Sequence, residues 1–396
     1  MANTLNLGNG NWATKEDSLL AYNSENGNFK PLPFDFTRAS SATVVNKAGL
    51  IETVGSGEPR IDFSNDAKGA LLLEPTRSNL VTYSEDLTNW NGAVMTTTLV
   101  DDLINPSNGL DASKLTQTSS GGYAWLSRTF TGNETFSAFV KKDSSNFVRL
   151  YAGGNSVYFN ILNGTIETIS GSVEDKSIID YGNGWFRISI SVNSTAASYV
   201  RIYPASSGSS SSGTNSLFVY GAQLEVGSYA TSYIPTSGSA VTRVADACNN
   251  GGNEQVINST EGVLYAEISA LDNDGTTRRL SISDGTTSNR LLLSYNSTSN
   301  QIQSFLANPT VQFNFYHTLS NSVDFNKIAV KYKQNDFALW INGVKVATDT
   351  NGTIANGLNT LNFDEGSGAS DFYGKTKDVR VYNTALTDSE LQALTT

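Results

Sequence analysis

The chain has 396 residues, with 34 glycines, one cysteine, one histidine and a formal net charge of −11. This length suits two or three domains of about 100–200 residues each, and a single cysteine excludes a disulfide framework. The acidic charge disfavours nucleic acid as a partner.

No stretch approaches the roughly 18 consecutive apolar residues of a membrane-spanning helix, so we expect no membrane insertion. The first residues, MANTLNLGNGNW, lack the basic and apolar regions of a signal peptide. We therefore expect synthesis in a cytoplasm and release by another route, such as cell lysis.

Residues 1–82 are the least regular part, with short mixed pieces separated by Gly and Pro. We predict an N-terminal attachment region that packs on a neighbouring domain or on another copy of the chain. Residues 15–22 fit either a helical turn or a strand. Residues 70–82 predict a buried strand, a turn at Glu74-Pro75 and a second strand, with Arg77 placed to pair with Glu74 or with backbone carbonyls.

Residues 83–245 predict one β-sandwich, because short alternating runs are separated by Asn-Gly turns such as Asn163-Gly164 and Asn183-Gly184. Leu217–Glu225 is its predicted last strand, and the Ser-rich segment 206–213 is a predicted flexible hairpin tip. Tyr229 and Tyr233 follow and are expected to pack at the junction between this sandwich and the next domain. Residues 236–260 are the predicted linker, with a short strand at 241–244.

Residues 246–396 predict a second sandwich, with a hairpin at Asn342-Gly343. A short C-terminal helix is expected, with Thr387 and Glu390 forming a capping box. The predicted fold class is therefore all-β: an irregular N-terminal region over 1–82, followed by two antiparallel β-sandwich (jelly-roll) domains over 83–245 and 246–396.

Four blocks resemble a family of bacteriophage and prophage virion-associated proteins: 36–52, 58–63, 71–90 and 220–246, reading FTRASSATVVNKAGLIE, EPRIDF, LLLEPTRSNLVTYSEDLTNW and YGAQLEVGSYATSYIPTSGSAVTRVAD. The resemblance implies a carbohydrate-binding-module-like jelly roll behind the leader. It implies a place on the outer surface of a virion, contacts with other virion proteins through the N-terminal region, and a homo-oligomer, with a trimer favoured. Tail fibre, head fibre and capsid decoration all remain open.

The C-terminal part resembles a concanavalin A-like, laminin-G-type domain, through FALWINGVKVAT (337–348) and DVRVYNTALTDSELQAL (378–394). Many such domains bind glycans, some with a calcium ion, and many only mediate protein contacts. Asp272 and Asp274, in an oxygen-rich turn, are the candidate calcium ligands. The alternative is a hairpin turn held by Asx hydrogen bonds, and beyond calcium we expect no cofactor.

We expect no catalytic residues and no enzymatic activity. His317 has no accompanying nucleophile motif, and no strand carries the alternating acids typical of glycanases of this fold. Aromatic rings are the candidates for stacking on sugars: Tyr123, Trp125, Tyr295, Tyr316 and Tyr373. The other aromatic residues considered for sugar stacking could instead pack in the core: Trp90, Tyr151, Tyr158, Trp185 and Trp340. Of these, Trp185 and Trp340 are expected in the core.

The hypothesis from the sequence is a fibre-type virion protein that adheres to host-surface or environmental glycans, with many weak sites combined by avidity. The alternative is a head fibre or capsid decoration protein with a purely structural role. A glycan depolymerase is the third possibility considered.

Overall fold

The structure is a computed structural model that describes residues 5–10, 12, 14–15, 18–23, 28–64 and 66–396. It divides into two compact units. Unit 1 comprises Met1–Ser41, Val54–Pro75 and Ala245–Thr396, and unit 2 comprises Ala42–Thr53 and Thr76–Val244. The prediction of an all-β chain is confirmed, because strands dominate and one short α-helix closes the sequence.

The first sixteen strands are β1 Leu5–Gly8, β2 Thr14–Lys15, β3 Ser18–Asn23, β4 Asn28–Thr37, β5 Ala42–Val45, β6 Ile51–Val54, β7 Arg60–Asp62, β8 Ala70–Leu73, β9 Arg77–Asn79, β10 Asn91–Ala93, β11 Met95–Val100, β12 Ala112–Gln117, β13 Tyr123–Thr129, β14 Gly132–Lys142, β15 Phe147–Ala152 and β16 Asn155–Asn160. A 3₁₀ helix covers Leu87–Asn89.

The remaining elements are β17 Thr165–Ser170, β18 Asp175–Asp180, β19 Trp185–Ser194, β20 Ala197–Ala205, β21 Ser216–Val226, β22 Val241–Arg243, β23 Ala247–Asn249, β24 Glu261–Ala270, β25 Arg278–Ser283, β26 Arg290–Tyr295, β27 Gln301–Asn308, β28 Thr310–Thr318, β29 Asn326–Lys333, β30 Phe337–Ile341, β31 Val344–Asp349, β32 Thr360–Asn362, β33 Gly374–Tyr382 and helix α1 Asp388–Thr395.

Unit 1 is a sandwich whose larger sheet has the order β31-β30-β29-β24-β33-β8-β7, with β1 also on β33. The facing sheet has the order β28-β27-β26-β25-β32. Leu264, Ile328 and Val379 from the first sheet share one core with Leu291 and Ile302 from the second, because each strand alternates side chains between its two faces. A third sheet, β2-β3-β4-β23, belongs to the same unit.

The N-terminal residues are divided between the units, which differs from the predicted separate region over 1–82. Strand β1 pairs with the Asp378–Val381 part of β33, and β8 pairs with its Gly374–Thr376 part. Both therefore extend the larger sheet of unit 1 along the free edge of β33. The physical reason is that an unpaired sheet edge supplies the hydrogen-bonding groups that these short strands lack on their own.

A buried ion-pair network joins distant segments inside unit 1. Asp246 pairs with Arg38 at 3.0 Å and also with Arg60, while Arg60 pairs with Glu74 at 2.6 Å. The side chains of Arg38, Arg60 and Asp246 have no exposed area. Glu74 thus pairs with Arg60, and the predicted Glu74 partner, Arg77, instead lies 3.8 Å from Glu225 in unit 2.

Unit 2 is a sandwich of two six-stranded sheets, in the orders β10-β13-β20-β15-β16-β17 and β11-β12-β21-β14-β19-β18. Their inner faces share a core that includes Val148, Ile202, Phe136, Ile190 and Val219. The pairings within both sheets are antiparallel. Strand β21 is the last strand of these two sheets in chain order, as predicted, and it lies between β12 and β14 within its sheet.

Two predicted connections differ from the structure. The Ser-rich segment 206–213 joins β20 to β21, which belong to different sheets, so it is not a hairpin tip. The predicted linker contributes paired strands: β22 pairs with β9 in unit 2 and β23 pairs with β4 in unit 1. Both predictions failed because Gly and Ser content reports local backbone preference but not which strands meet.

The predicted local signals at the C-terminus are confirmed. Asn342 and Gly343 both have positive φ, 47° and 80°, as a two-residue hairpin turn between β30 and β31 requires. The Thr387 hydroxyl accepts from the Glu390 amide, and the Glu390 carboxylate accepts from the Thr387 amide, which completes the capping box of α1. Across the described ranges, no helix has the length and apolar character needed to cross a bilayer.

Candidate functional site

One sheet of unit 2 presents aromatic and arginine side chains on its outer side. In β13, β15, β16 and β20, alternate residues point to the core, among them Ala124, Leu150, Val157 and Ile202. The residues between them point the other way. We call this surface the aromatic face, and it consists of Tyr123, Trp125, Arg149, Tyr151, Tyr158, Tyr199, Arg201 and Tyr203.

Strand register places these side chains in adjacent rows. Arg201 lies opposite Trp125 on one side and opposite Tyr151 on the other. Arg149 lies opposite Tyr203 and opposite Tyr158. Directly opposed side chains in an antiparallel sheet are about 4.5–5.5 Å apart at Cβ, so each arginine is flanked by rings from two neighbouring strands.

The arginines lie over the rings at cation–π distance. The Arg201 guanidinium carbon lies 4.6 Å from the ring centre of Tyr123, 4.7 Å from that of Tyr151 and 4.5 Å from that of Tyr199. The Arg149 guanidinium carbon lies 4.9, 5.5 and 5.9 Å from the ring centres of Tyr203, Tyr158 and Tyr151. These distances are within the roughly 6 Å over which a ring attracts a cation.

The rings also contact one another. The ring centres of Tyr123 and Tyr203 are 4.7 Å apart, and those of Trp125 and Tyr199 are 5.1 Å apart with their planes perpendicular. Tyr203 is buried and Tyr199 is 37% exposed, while Tyr123 and Trp125 are half-buried. The face therefore combines rings fixed by packing with ring surface that is open to solvent.

One hydrogen bond crosses the face: Arg201 Nη1 donates to the Tyr203 hydroxyl at 3.1 Å. Burial raises the pKa of Tyr203, and this hydrogen bond from Arg201 opposes that rise. The phenol therefore stays neutral, with its proton available for a further hydrogen bond.

The face carries positive charge without acidic neighbours on its own strands. The sequences of β13, β15, β16 and β20 are YAWLSRT, FVRLYA, NSVYFN and ASYVRIYPA, and they contain no Asp or Glu. Arg128 on β13 is neutralised by Glu134 of β14 at 2.7 Å. The local charge of the face thus comes from Arg149 and Arg201.

The structure brings together Tyr123 and Trp125, two of the predicted sugar-stacking residues, with Tyr151 and Tyr158 from the wider aromatic set. Sequence reasoning missed Tyr199, Tyr203 and the two arginines. The alternation Tyr199-Val200-Arg201-Ile202-Tyr203 puts the three polar-tipped residues on one face of β20. That signal was present, but the neighbouring strands that complete the face could not be named from it.

The candidates in the second sandwich do not form a comparable surface. The prediction that Tyr295 stacks on a sugar is wrong. The residue is 3% exposed, lies in the core of unit 1 and donates its hydroxyl to the Ile268 carbonyl at 2.9 Å, so its ring cannot contact a sugar. Tyr316 is 51% exposed, and its hydroxyl accepts from Gln303 at 2.9 Å. Tyr373 is half-buried and donates to Asp371 at 2.8 Å.

Other aromatic predictions concerned packing. Trp185 and Trp340 are 1% and 6% exposed, which confirms them as core residues. Tyr229 and Tyr233 are also buried, at 7% and 3%. The Tyr233 ring packs on Phe139 inside unit 2, with ring centres 5.9 Å apart.

The Asp272-Asn273-Asp274-Gly275 turn has the Asx hydrogen bonds that were the alternative to a calcium site. Asp274 Oδ1 accepts from the Thr276 amide at 2.9 Å and lies 2.9 Å from Arg278 Nη2. Because Arg278 already neutralises Asp274, a divalent cation would have to displace it. No group of three or more His, Cys, Asp or Glu suited to a metal ion occurs in the part of the chain that the structure describes.

Unit 2 also contains a cavity of about 470 Å³ lined by residues that include Asn46, Glu85, Ser107, Tyr220 and Tyr233. Tyr220 and Tyr233 donate their hydroxyls to Glu85 Oε1 at 2.8 and 3.2 Å. Burial raises the pKa of both phenols, and the Glu85 charge adds to the rise. Glu85, Tyr220 and Tyr233 thus satisfy one another at this cavity.

Comparison with known proteins identifies the C-terminal sandwich. Residues 264–392 match a family model described as the concanavalin A-like lectin/glucanases superfamily. The matched segment lies within unit 1, and this similarity agrees with the resemblance predicted for the C-terminal part. No curated protein matches the chain.

Several solved structures have partly similar folds. The CBM40 module of the Ruminococcus gnavus IT-sialidase is 18% identical, with a TM-score of 0.32, over 37% of this chain and 94% of that chain. The botulinum neurotoxin serotype G binding domain is 12% identical, with a TM-score of 0.30, over 63% of this chain and 50% of that chain. Domain 4 of AbnA, an arabinanase from Geobacillus stearothermophilus, is 14% identical, with a TM-score of 0.30, over 43% of this chain and 83% of that chain.

Proposed function

We propose that this protein binds glycans through the aromatic face of unit 2. The observation that carries the proposal is the set of six rings and two arginines on four adjacent strands. Binding sites for small molecules are typically lined by aromatic surface with a few polar groups that fix orientation. Sugars present apolar C–H surfaces and hydroxyl groups, so ring faces and the hydroxyls of Tyr199 and Tyr203 complement both.

We propose binding without cleavage. Glycoside hydrolysis requires two carboxyl groups about 5–9 Å apart beside the scissile bond. The four strands that build the aromatic face contribute no Asp or Glu. Retention of a sugar on the rings is the role that this composition supports.

We further propose that the chain is carried in many copies on the outer surface of a bacteriophage virion, as an oligomer attached through other virion proteins. The support is the resemblance of blocks 36–52, 58–63, 71–90 and 220–246. Several of their residues make buried contacts: Arg38, Arg60 and Asp246 in unit 1 and Asn79 in unit 2. The resemblance thus concerns the scaffold, and multiple copies would raise a weak affinity through avidity.

Glycan-array binding by the full chain tests the proposal. Trp125→Ala removes a half-buried ring at the edge of the face, and removal of a ring that contacts a ligand costs more than about 1.4 kcal/mol at a hot spot, or about tenfold in affinity. The matched control is Tyr316→Ala, which removes an exposed ring from unit 1.

The expected result is binding that Trp125→Ala weakens at least about tenfold and that Tyr316→Ala leaves unchanged. Absence of binding to every glycan, or equal binding by the wild type and the Trp125→Ala variant, overturns the assignment of this face. Release of reducing ends from a bound polysaccharide overturns the proposal of binding without cleavage.

A further inference from the structure

We propose that the ligand of the aromatic face is an acidic saccharide, a uronic or sialic acid, whose carboxylate is bound by Arg149 and Arg201. This inference rests on the glycan-binding function proposed above. It specifies the chemical class of the sugar.

The first support is charge pairing across the chain. Among the residues that the structure describes, eight arginines form ion pairs with carboxylates: Arg38, Arg60, Arg77, Arg128, Arg278, Arg279, Arg290 and Arg380. Arg149 and Arg201 have no carboxylate partner among the described residues. Partly desolvated charges are costly unless an opposite charge accompanies them, so these two arginines lack the counterion that most others have.

The second support is the number of unused donors. A guanidinium has five N–H donors. Within the described structure, Arg201 uses one of them on Tyr203, and Arg149 is held only by contacts with rings. The Nε atoms of both arginines are buried and have no hydrogen-bond partner, which is not the case for their terminal nitrogens. The terminal N–H groups are therefore the ones available at the surface.

The third support is geometry. Arg149 lies opposite Tyr203, and Arg201 is two residues before Tyr203 on the same strand, so the arginines are diagonal neighbours at about 7–8 Å. Both contact the ring of Tyr151. Rings that hold the guanidinium planes reduce the entropy lost on binding, and a planar carboxylate matches the guanidinium fork in a bidentate manner.

The overall charge of −11 does not oppose this assignment at close range. Exposed charges are screened beyond about 8–10 Å at physiological ionic strength. The four strands that carry the aromatic face contribute no acid, and Glu167 lies on the adjoining edge strand β17. The charged groups of the aromatic face itself are therefore Arg149 and Arg201. An anionic sugar therefore meets attraction where it binds, and its binding should weaken as salt rises.

Matched ligands test the inference on the full wild-type chain. The probes are 3′-sialyllactose, trigalacturonate and a hyaluronate tetrasaccharide, each measured against its own carboxyl methyl ester by calorimetry or surface-plasmon binding. The ester keeps the sugar's rings and hydroxyls but removes the charge. The ester loses the charge-assisted hydrogen bonds to the arginines, so we expect at least one acid to bind about tenfold or more tightly than its ester.

Arg149→Gln and Arg201→Gln should abolish this preference for the acid over the ester. Lys142→Gln, which removes an exposed positive charge from β14 in the other sheet, is the matched control and should retain it. Preserved melting temperature of each variant shows that the sheet is intact, and the wild-type acid-to-ester ratio does not depend on any variant folding.

The outcomes separate this inference from the proposed function. Equal binding of acid and ester, or tighter binding of neutral glycans, overturns the acidic-sugar assignment and leaves glycan binding in place. An acid preference that Arg149→Gln and Arg201→Gln both leave unchanged also overturns it. Absence of binding to all acids, all esters and all neutral glycans overturns both proposals.

Discussion

Replacing Asp246 with Asn should destabilise unit 1 strongly. The carboxylate has no exposed area, and it accepts from Arg38 at 3.0 Å, from Arg60, and from the Glu74 amide at 2.8 Å. Asn removes the charge and turns one acceptor into a donor that faces other donors. Arg38 would then lose its charged partner, while its hydrogen bonds to the backbone carbonyls of Ser40 at 2.9 Å and Glu58 at 3.0 Å remain.

The size of the effect follows from the burial of this network. Removing one partner of a buried ion pair costs about 3–5 kcal/mol because the remaining charge is uncompensated. For a domain of about 150–250 residues, 1 kcal/mol corresponds to a change of about 2–4 °C in melting temperature. We therefore expect Asp246→Asn to lower the melting temperature of unit 1 by about 6–20 °C.

Differential scanning calorimetry of the full chain measures this shift, and hydrogen exchange assigns the destabilised transition to unit 1. Asp388→Asn is the control in the same unit: its carboxylate is 54% exposed and pairs with Lys345, which is 36% exposed, so its loss should cost no more than about 1 kcal/mol. If Asp246→Asn shifts the transition no more than Asp388→Asn does, the buried network contributes little and the reasoning is refuted.

Two further predictions concern pH and calcium. Burial raises the pKa of Tyr220 and of Tyr332. The stability that these neutral phenols contribute is therefore complete below about pH 10, where unfolded tyrosines also stay neutral, and is lost as the pH rises toward the pKa values of the folded state. Denaturation at about pH 8 and 11, followed by phenolate absorbance, should show lower stability at the higher pH, and equal stability would contradict the assignment. Because Asp274 is paired with Arg278 at 2.9 Å, calcium or a chelator should leave the melting temperature of the wild type unchanged; a rise with calcium that Asp274→Asn abolishes would instead establish a metal site there.

Local patterns in the sequence were sufficient for the fold class and for many strands. The alternation in residues 217–225 predicted β21, the Asn342-Gly343 pair predicted the hairpin turn, and Thr387 with Glu390 predicted the helix cap. Each of these depends on neighbours a few residues apart. Strand β17 carries no such signal, because all six of its residues are exposed and no alternation between core and solvent marks it.

Long-range pairing lies beyond such patterns. Arg38 and Asp246 are 208 residues apart in sequence, and their contact assigns the leader segment around Arg38 to unit 1, where the sequence predicted a separate region. The aromatic face depends on the same kind of information. Residues on β13, β15, β16 and β20 alternate correctly in the sequence, but only strand order and register bring them together.

The candidate site was therefore half visible before the fold was known. Tyr123 and Trp125 were already among the aromatic residues predicted to stack on sugars. Arg149 and Arg201 had no such signal, since an isolated arginine in a strand is equally consistent with a solvated edge or an ion pair. Register makes them diagonal neighbours between rings without a carboxylate, and that arrangement, set by non-local hydrogen bonding between strands, defines the site.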